Sequence, residues 1–202
     1  YPNRETLLNE SEFGDGSSHE SVQCHGHSKK ILFDYSKQIF QQHPDILPVC
    51  VVCNNSFGPH DSYKVEKTKF IGGAIAKVAE AKEKNFDEVV FWGDGSPLRE
   101  FVYCKDAAEG LVQALERYDN PFDVINVTGF ETTIKSAVEQ IVQIIGFKGK
   151  IVWDTSRPNG QMRRRLDDTK MRDCLDLKMT PCPQALQETI DWYYKNEIWN
   201  LG

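Results

Sequence analysis

The chain has 202 residues, of which 40% are hydrophobic and 27% charged, with a formal net charge of −6. That length supports one good core, or a domain plus a small lobe. The acidic balance argues against nucleic acid or an anionic membrane as a bulk partner, and no apolar run approaches the ~18 residues of a membrane span.

Tyr1-Pro2-Asn3-Arg4 is polar and lacks both an initiator Met and a signal-peptide pattern, so it reads as a cut or mature end. Residues 1–22 are polar, with Gly14-Asp15-Gly16-Ser17-Ser18 marking a loop. A helix is predicted over about 28–43, closed by His43-Pro44, with Ile31, Leu32, Tyr35, Ile39 and Phe40 recurring at helical spacing on a face expected to be buried. If that helix starts early enough, His25 and Lys29 lie four apart on one face. Such a pair suits acid–base chemistry, and it equally suits a structural contact on a half-exposed helix start.

Residues 48–53 read as a buried β-branched strand. Cys50-Val51-Val52-Cys53 invites a redox or zinc reading. On a strand, however, residues three apart point to opposite faces, which favours two core thiols over a chelate. Six cysteines without a secretory signal read as reduced thiols, and so as an intracellular, cytoplasmic setting. The turn-rich stretch Asn54–Asp61 follows that strand, where loops of open α/β sheets face a ligand crevice.

A helix is predicted over about 67–84, with Phe70, Ile71, Ala74, Ile75 and Val78 on one face. Residues 88–92 and 100–104 read as strands about the Gly93-Asp94-Gly95 turn, either a hairpin or a strand–loop–strand unit. A helix over 106–118, a strand over 123–127 and a helix over about 133–146 follow, the last capped by Thr132 or Thr133 and stopped by Gly146. Residues 150–153 form a last strand, and 154–166 a loop whose Arg163-Arg164-Arg165 run reads as a solvated face. Asp167 can cap a short helix, and Pro181 to about Asn196 forms the final one. Strands and helices alternate, which indicates an α/β protein. A glycine-rich strand–turn–helix fingerprint for a dinucleotide is not found in these residues.

Four stretches then carry a resemblance. Tyr1-Pro2 is similar to the residues just after a catalytic Ser-x-Cys strand. Asn54-Asn55-Ser56-Phe57-Gly58-Pro59-His60-Asp61 resembles a Thr-Asn-x-Tyr/Phe-Gly-Pro-His-Asp loop. Val90 to Phe101 is close to Val-x-Trp-Gly-x-Gly-x-Pro-x-Arg-Glu-Phe, and Asp154 to Gly160 with Leu166-Asp167 is similar to Asp-x-Ser-Lys-Pro-Asp-Gly followed by Leu-Asp. Together they resemble the extended short-chain dehydrogenase/reductase family, in its GDP-L-fucose synthase branch, over most of this chain in collinear order.

The resemblance implies the C-terminal part of a Rossmann-like fold plus a small α/β substrate-binding lobe. Residues 1–53 would belong to the dinucleotide-binding domain and 54–202 mainly to a nucleotide-sugar lobe, with the segments around 88–92 and 105–127 returning to the Rossmann sheet. The family chemistry is 3,5-epimerisation and 4-keto reduction of GDP-4-keto-6-deoxymannose with NADPH, so NADP(H) is the implied cofactor, with no metal. Its Tyr-x-x-x-Lys keeps the lysine as Lys29, while His25 holds the tyrosine position. Lys69 best matches the catalytic histidine. Asn55, Lys77, Trp92, Arg99 and Arg157 match substrate-binding positions. A GDP-sugar is the implied small-molecule partner, and a homodimer or a place in a larger complex the implied assembly. Two further readings stand beside the enzyme: a catalytically inactive scaffold subunit, and a GDP-sugar binding module.

Overall fold

The computed structural model describes residues 1–3, 5–17, 20, 23–64, 68–120, 123–196 and 198. Ser18 of the predicted loop and the first residue of the helix expected from 67 lie outside these. The strands are β1 (Leu7–Leu8), β2 (Cys50–Cys53), β3 (Asn55–Phe57), β4 (Glu88–Trp92), β5 (Leu98–Tyr103), β6 (Val124–Val127), β7 (Phe130–Thr133), β8 (Lys150–Asp154) and β9 (Arg163–Leu166). The helices are α1 (Gln23–Gln42), α2 (Phe70–Glu83), α3 (Cys104–Arg117), α4 (Ile134–Ile145), α5 (Thr169–Cys174) and α6 (Cys182–Lys195).

The strands form three groups. β2 pairs in parallel with β6 from Cys50↔Val124 to Cys53↔Val127. β4 pairs in parallel with β8 from Glu88↔Lys150 to Trp92↔Asp154. The remaining strands β1, β9, β5 and β3 make a parallel run, with β7 antiparallel on β5. The mostly parallel pairing and intervening helices are those of an α/β fold.

This topology corrects one expectation and decides between two others. Residues 88–92 do not join the 50–53 sheet, because their partner is β8. Of the two readings of the strands about Gly93 and Gly95, the strand–loop–strand unit holds and the hairpin does not, since β5 pairs with β3, β7 and β9. The reason is visible in β4, where Val89 and Phe91 are buried and Glu88 and Trp92 exposed. That face packs into a core made by Ile71, Ile75 and Val78 of α2, Val138 and Ile141 of α4, and Leu186 and Ile190 of α6. β5 adds Phe101 and Tyr103 to the same core, so β4 and β5 share side-chain packing while β8 takes the hydrogen-bonding edge of β4. The Arg163–Arg165 run is likewise a strand rather than a loop, with Arg163 making two 2.7 Å bonds to Glu131 of β7.

Local chemistry sets the helix ends. Thr133 caps α4, its Oγ1 accepting from the Ser136 N–H at 3.0 Å, and Gly146 closes that helix in the left-handed region at φ 75°. At α5 the N-cap position falls on Asp168, which makes no side-chain cap bond, and Asp167 one residue earlier accepts from the Thr169 N–H at 3.0 Å. In α1 the periodicity predicts the helix but not its burial. Ile31, Leu32 and Tyr35 are exposed, and only Phe33 is buried, edge-on to Phe13 at 5.0 Å. A 3.6-residue period shows that a helix has an apolar face and is silent on what covers it.

A second core lies under α3 and α5, where Ala107, Ala114, Ile125, Val127, Met171 and Leu175 pack together. No helix among the described residues is long and apolar enough to cross a membrane.

Candidate functional site

A hollow of about 540 Å³ opens where β3, β4, β5 and the start of α2 converge. Register builds it. Asn55 sits opposite Phe101 across the β3–β5 pair, and Trp92 opposite Asp154 across β4–β8. The second pairing brings the loop after β4 against the loop after β8. There Asn159 Oδ1 accepts from the Asp94 N–H at 2.9 Å. Gly93 makes the approach possible. Its φ is +76°, and a Cβ there would lie 2.2 Å from Asn159 Oδ1.

Asn55, Lys77, Trp92 and Arg99, expected at the substrate, line this hollow, and so does Lys69, expected in the catalytic histidine's place. Lys69 is exposed at the N-cap position of α2, with no side-chain cap of its own. Lys77, two turns further on, donates to the Val90 carbonyl and stands 5.2 Å from the centre of the Phe91 ring. Arg99 is half-buried and donates to its neighbour's carbonyl, Leu98 O, at 2.8 Å. Burial pushes its pKa down, with Glu5 opposing and Arg164 adding to the shift, yet a guanidinium keeps its charge in proteins. Arg157 is not in the wall itself. Its guanidinium lies 5.3 Å from the centre of the Trp92 ring at the rim.

Trp92 is 69% exposed, which is costly for an indole unless something covers it. An exposed aromatic face with a cation over it, above a pocket with three cationic side chains, is arranged to take a flat ring joined to an anion. Phe91, Phe101, Pro158 and Asn159 also line the hollow. Asn159 carried a readable signal, because it lies in the matched Ser-Arg-Pro-Asn-Gly segment. The two phenylalanines carried none beyond strand pattern.

The other two acid–base candidates lie elsewhere. His25 and Lys29, one turn apart on α1, line a second hollow of about 400 Å³ with Phe13, Phe33 and Cys50–Cys53. Both are exposed. Cys50 and Cys53 are half-buried free thiols, and burial pushes Cys50 up to about 11, so it stays protonated at neutral pH. Burial also raises Cys53, while the nearby Lys69 charge pulls it down. That influence links the two hollows: Lys69 stands at the first and Cys53 in the second. Among the described residues no three His, Cys, Asp or Glu side chains gather to hold a metal ion.

Residues 1–128 match the NAD dependent epimerase/dehydratase family. The chain is 37% identical over 145 residues to probable GDP-L-fucose synthase 1 of Oryza sativa subsp. japonica, covering 71% of this chain and 44% of that protein. It is 30% identical over 199 residues to the GDP-L-fucose synthase of Dictyostelium discoideum, covering 97% of this chain and 60% of that one. Among solved structures, a GDP-L-fucose synthetase from Naegleria fowleri bound to NADP superposes with a TM-score of 0.93 at 27% identity, covering 98% of this chain and 61% of that one. The chain thus spans about half the length of the relatives it matches. With the parallel α/β core, the collinear motifs and the match over residues 1–128, the chain belongs to the NAD dependent epimerase/dehydratase family.

Proposed function

We propose that the chain is part of a GDP-L-fucose synthase-like nucleotide-sugar epimerase/reductase that binds a GDP-sugar in the Trp92 hollow and has impaired catalysis. One observation carries this reading: Lys69, Lys77 and Arg99 converge on a hollow whose rim is Trp92 under Arg157. A diphosphate is held by two or three converging cations. A nucleobase stacks on an exposed aromatic ring, and Asn55 supplies a directional group for the sugar.

The family reaction uses NADPH, which supplies a hydride to the 4-keto carbon when bound. Lys29 is the residue of this chain that fits the cofactor, as an exposed ammonium lining the β2 hollow where ribose hydroxyls can be held. His25 stands where a phenol returns the proton to the product alkoxide. An imidazole is shorter than the phenol it replaces, so it reaches less far toward that alkoxide. Lys69 serves as a base for epimerisation only when its ammonium loses a proton. Both substitutions therefore weaken proton transfer and leave binding in place.

The second reading is a catalytically inactive GDP-sugar binding module or scaffold subunit, favoured by the same two substitutions. The exposed Ile31, Leu32 and Tyr35 stripe on α1 supports a homodimer or a larger assembly in either case. Reduced thiols support an intracellular setting.

The test is GDP calorimetry together with NADPH oxidation on GDP-4-keto-6-deoxymannose, using the protein at its natural length. We expect measurable GDP binding, and turnover reduced about 100-fold or more against an intact family member, the scale of general acid–base catalysis. Recovery in His25→Tyr marks an impaired enzyme, and no recovery marks the binding module. Absence of GDP binding overturns both.

A further inference from the structure

Glu100 is an acidic side chain in a place where charge is expensive. It is only 5% exposed, on β5 between β3 and β9. Its Oε2 accepts from Asn54 Nδ2 at 2.5 Å and from the Leu166 backbone N–H at 2.9 Å. Asn54 Oδ1 in turn accepts from the Asn55 N–H at 2.8 Å and from Asn55 Nδ2 at 3.2 Å. Asn55 Nδ2 also donates to the backbone carbonyl of Glu100 at 3.1 Å.

The polarity of this relay is forced. A carboxylate and a carbonyl oxygen only accept, so both asparagines must aim their amide nitrogens along the relay toward Glu100. With both Nδ2 hydrogens occupied, Asn55 has its carboxamide oxygen to offer the Trp92 hollow that it lines.

We propose that Glu100 is a positioning residue that acts through Asn54, its ionisation fixing the orientation of Asn55 and so the affinity of the hollow for a nucleotide sugar. The ligand half of this statement rests on the nucleotide-sugar reading above, while the Glu100–Asn54–Asn55 relay stands on geometry alone. Bonds to an ionised acceptor are roughly twice as strong as neutral ones, so the relay holds firmly only when Glu100 is charged.

The surroundings put that switch near neutrality. Burial pushes Glu100 up to about 7, with Glu131 on β7 and Asp168 beyond β9 adding to the shift, and the Leu166 N–H and Arg165 opposing it. Arg165 Nε stands 3.9 Å from Oε1, and Arg163 is occupied by Glu131. Among the described residues no histidine lines the hollow. A nucleotide sugar carries its diphosphate as a diester, without a proton that titrates near pH 7. A binding midpoint near 7 therefore reports Glu100 rather than the ligand.

The experiment titrates GDP-mannose calorimetrically into the wild-type chain, Glu100→Gln and Asn54→Ala at pH 6, 7 and 8. The side-chain amide nitrogen signals of Asn54 and Asn55 are followed over the same range without ligand. We expect wild-type affinity to fall about fivefold from pH 8 to 6, the scale of losing one charge-assisted bond. Glu100→Gln keeps the accepting oxygen without the charge, so it should show the low-pH affinity throughout, and Asn54→Ala should be weak and independent of pH. The wild-type amide signals should titrate together near pH 7, and those of Glu100→Gln should not. Wild-type affinity and pH dependence in Glu100→Gln, or wild-type amides that do not titrate, overturn the proposal. Titrating amides with no binding by any variant support the relay and overturn the nucleotide-sugar reading instead.

Discussion

The guanidinium of Arg157 lies 5.3 Å from the centre of the Trp92 ring, although 64 positions separate 92 from 157 in the chain. The β4–β8 register makes this contact, because Trp92 pairs with Asp154 and the loop after β8 then turns over the indole. Trp92→Ala should weaken GDP binding by about 1–3 kcal/mol, the range for base stacking on an aromatic side chain. Arg157→Ala should cost less, about 0.5–1 kcal/mol, as an exposed cation–π contact does. Calorimetry on the two variants checks the order, and an unchanged Trp92→Ala would remove the base from this rim.

Gly93 joins stability to the site. Alanine there faces a positive φ and a Cβ 2.2 Å from Asn159 Oδ1. Gly93→Ala should lose about 1–3 kcal/mol of stability through backbone strain alone. It should also loosen the Asp94–Asn159 bond and weaken GDP binding. Urea unfolding and calorimetry on one preparation measure both, and a change in neither would show that the loops are held by other contacts.

Stability should fall as pH rises through the window set by Glu100. Its folded pKa of about 7 lies above the ordinary carboxylate value of 4.5. Between those values the folded chain binds more protons than the unfolded one, so raising the pH costs stability. Above 7 the full cost of the buried charge is present. Melting temperatures from pH 5 to 8 should decline in the wild type and decline less in Glu100→Gln. This trend runs opposite to the expected ligand affinity, which separates a folding role from a positioning role.

The core makes a sharper demand than the site. Ile141 of α4 is fully buried against α2 and α6. Ile141→Ala should cost about 2–5 kcal/mol, as such truncations do when the surroundings cannot collapse. Thr133→Ala, which removes the α4 cap, should cost about 1 kcal/mol. Equal losses in the two variants would show that α4 is held by its end rather than its face.

Much of this protein could be read from the chain alone. Helical period, Thr133 and Gly146 place α4 where it lies, and β-branched runs place β2, β4, β6 and β8. Local propensity and capping act over a few residues, so they are written locally. The family was also legible, because its motifs are long and collinear.

Tertiary structure decided the rest, because strand pairing and burial depend on residues far apart in the chain. Only pairing sends β4 to β8 rather than to β5 or β2, and makes a strand of Arg163–Leu166. Only packing leaves the Ile31, Leu32 and Tyr35 face of α1 exposed. The sequence showed His25 and Lys29 as a helical pair and, through the family motifs, Lys77, Arg99 and Arg157 at substrate-binding positions. The fold puts the first two in one hollow and gathers Lys69, Lys77 and Arg99 around another beneath Trp92 and Arg157. Glu100 was one letter of a motif, and burial between β3 and β9 turned it into the group on which Asn54 and Asn55 are hung.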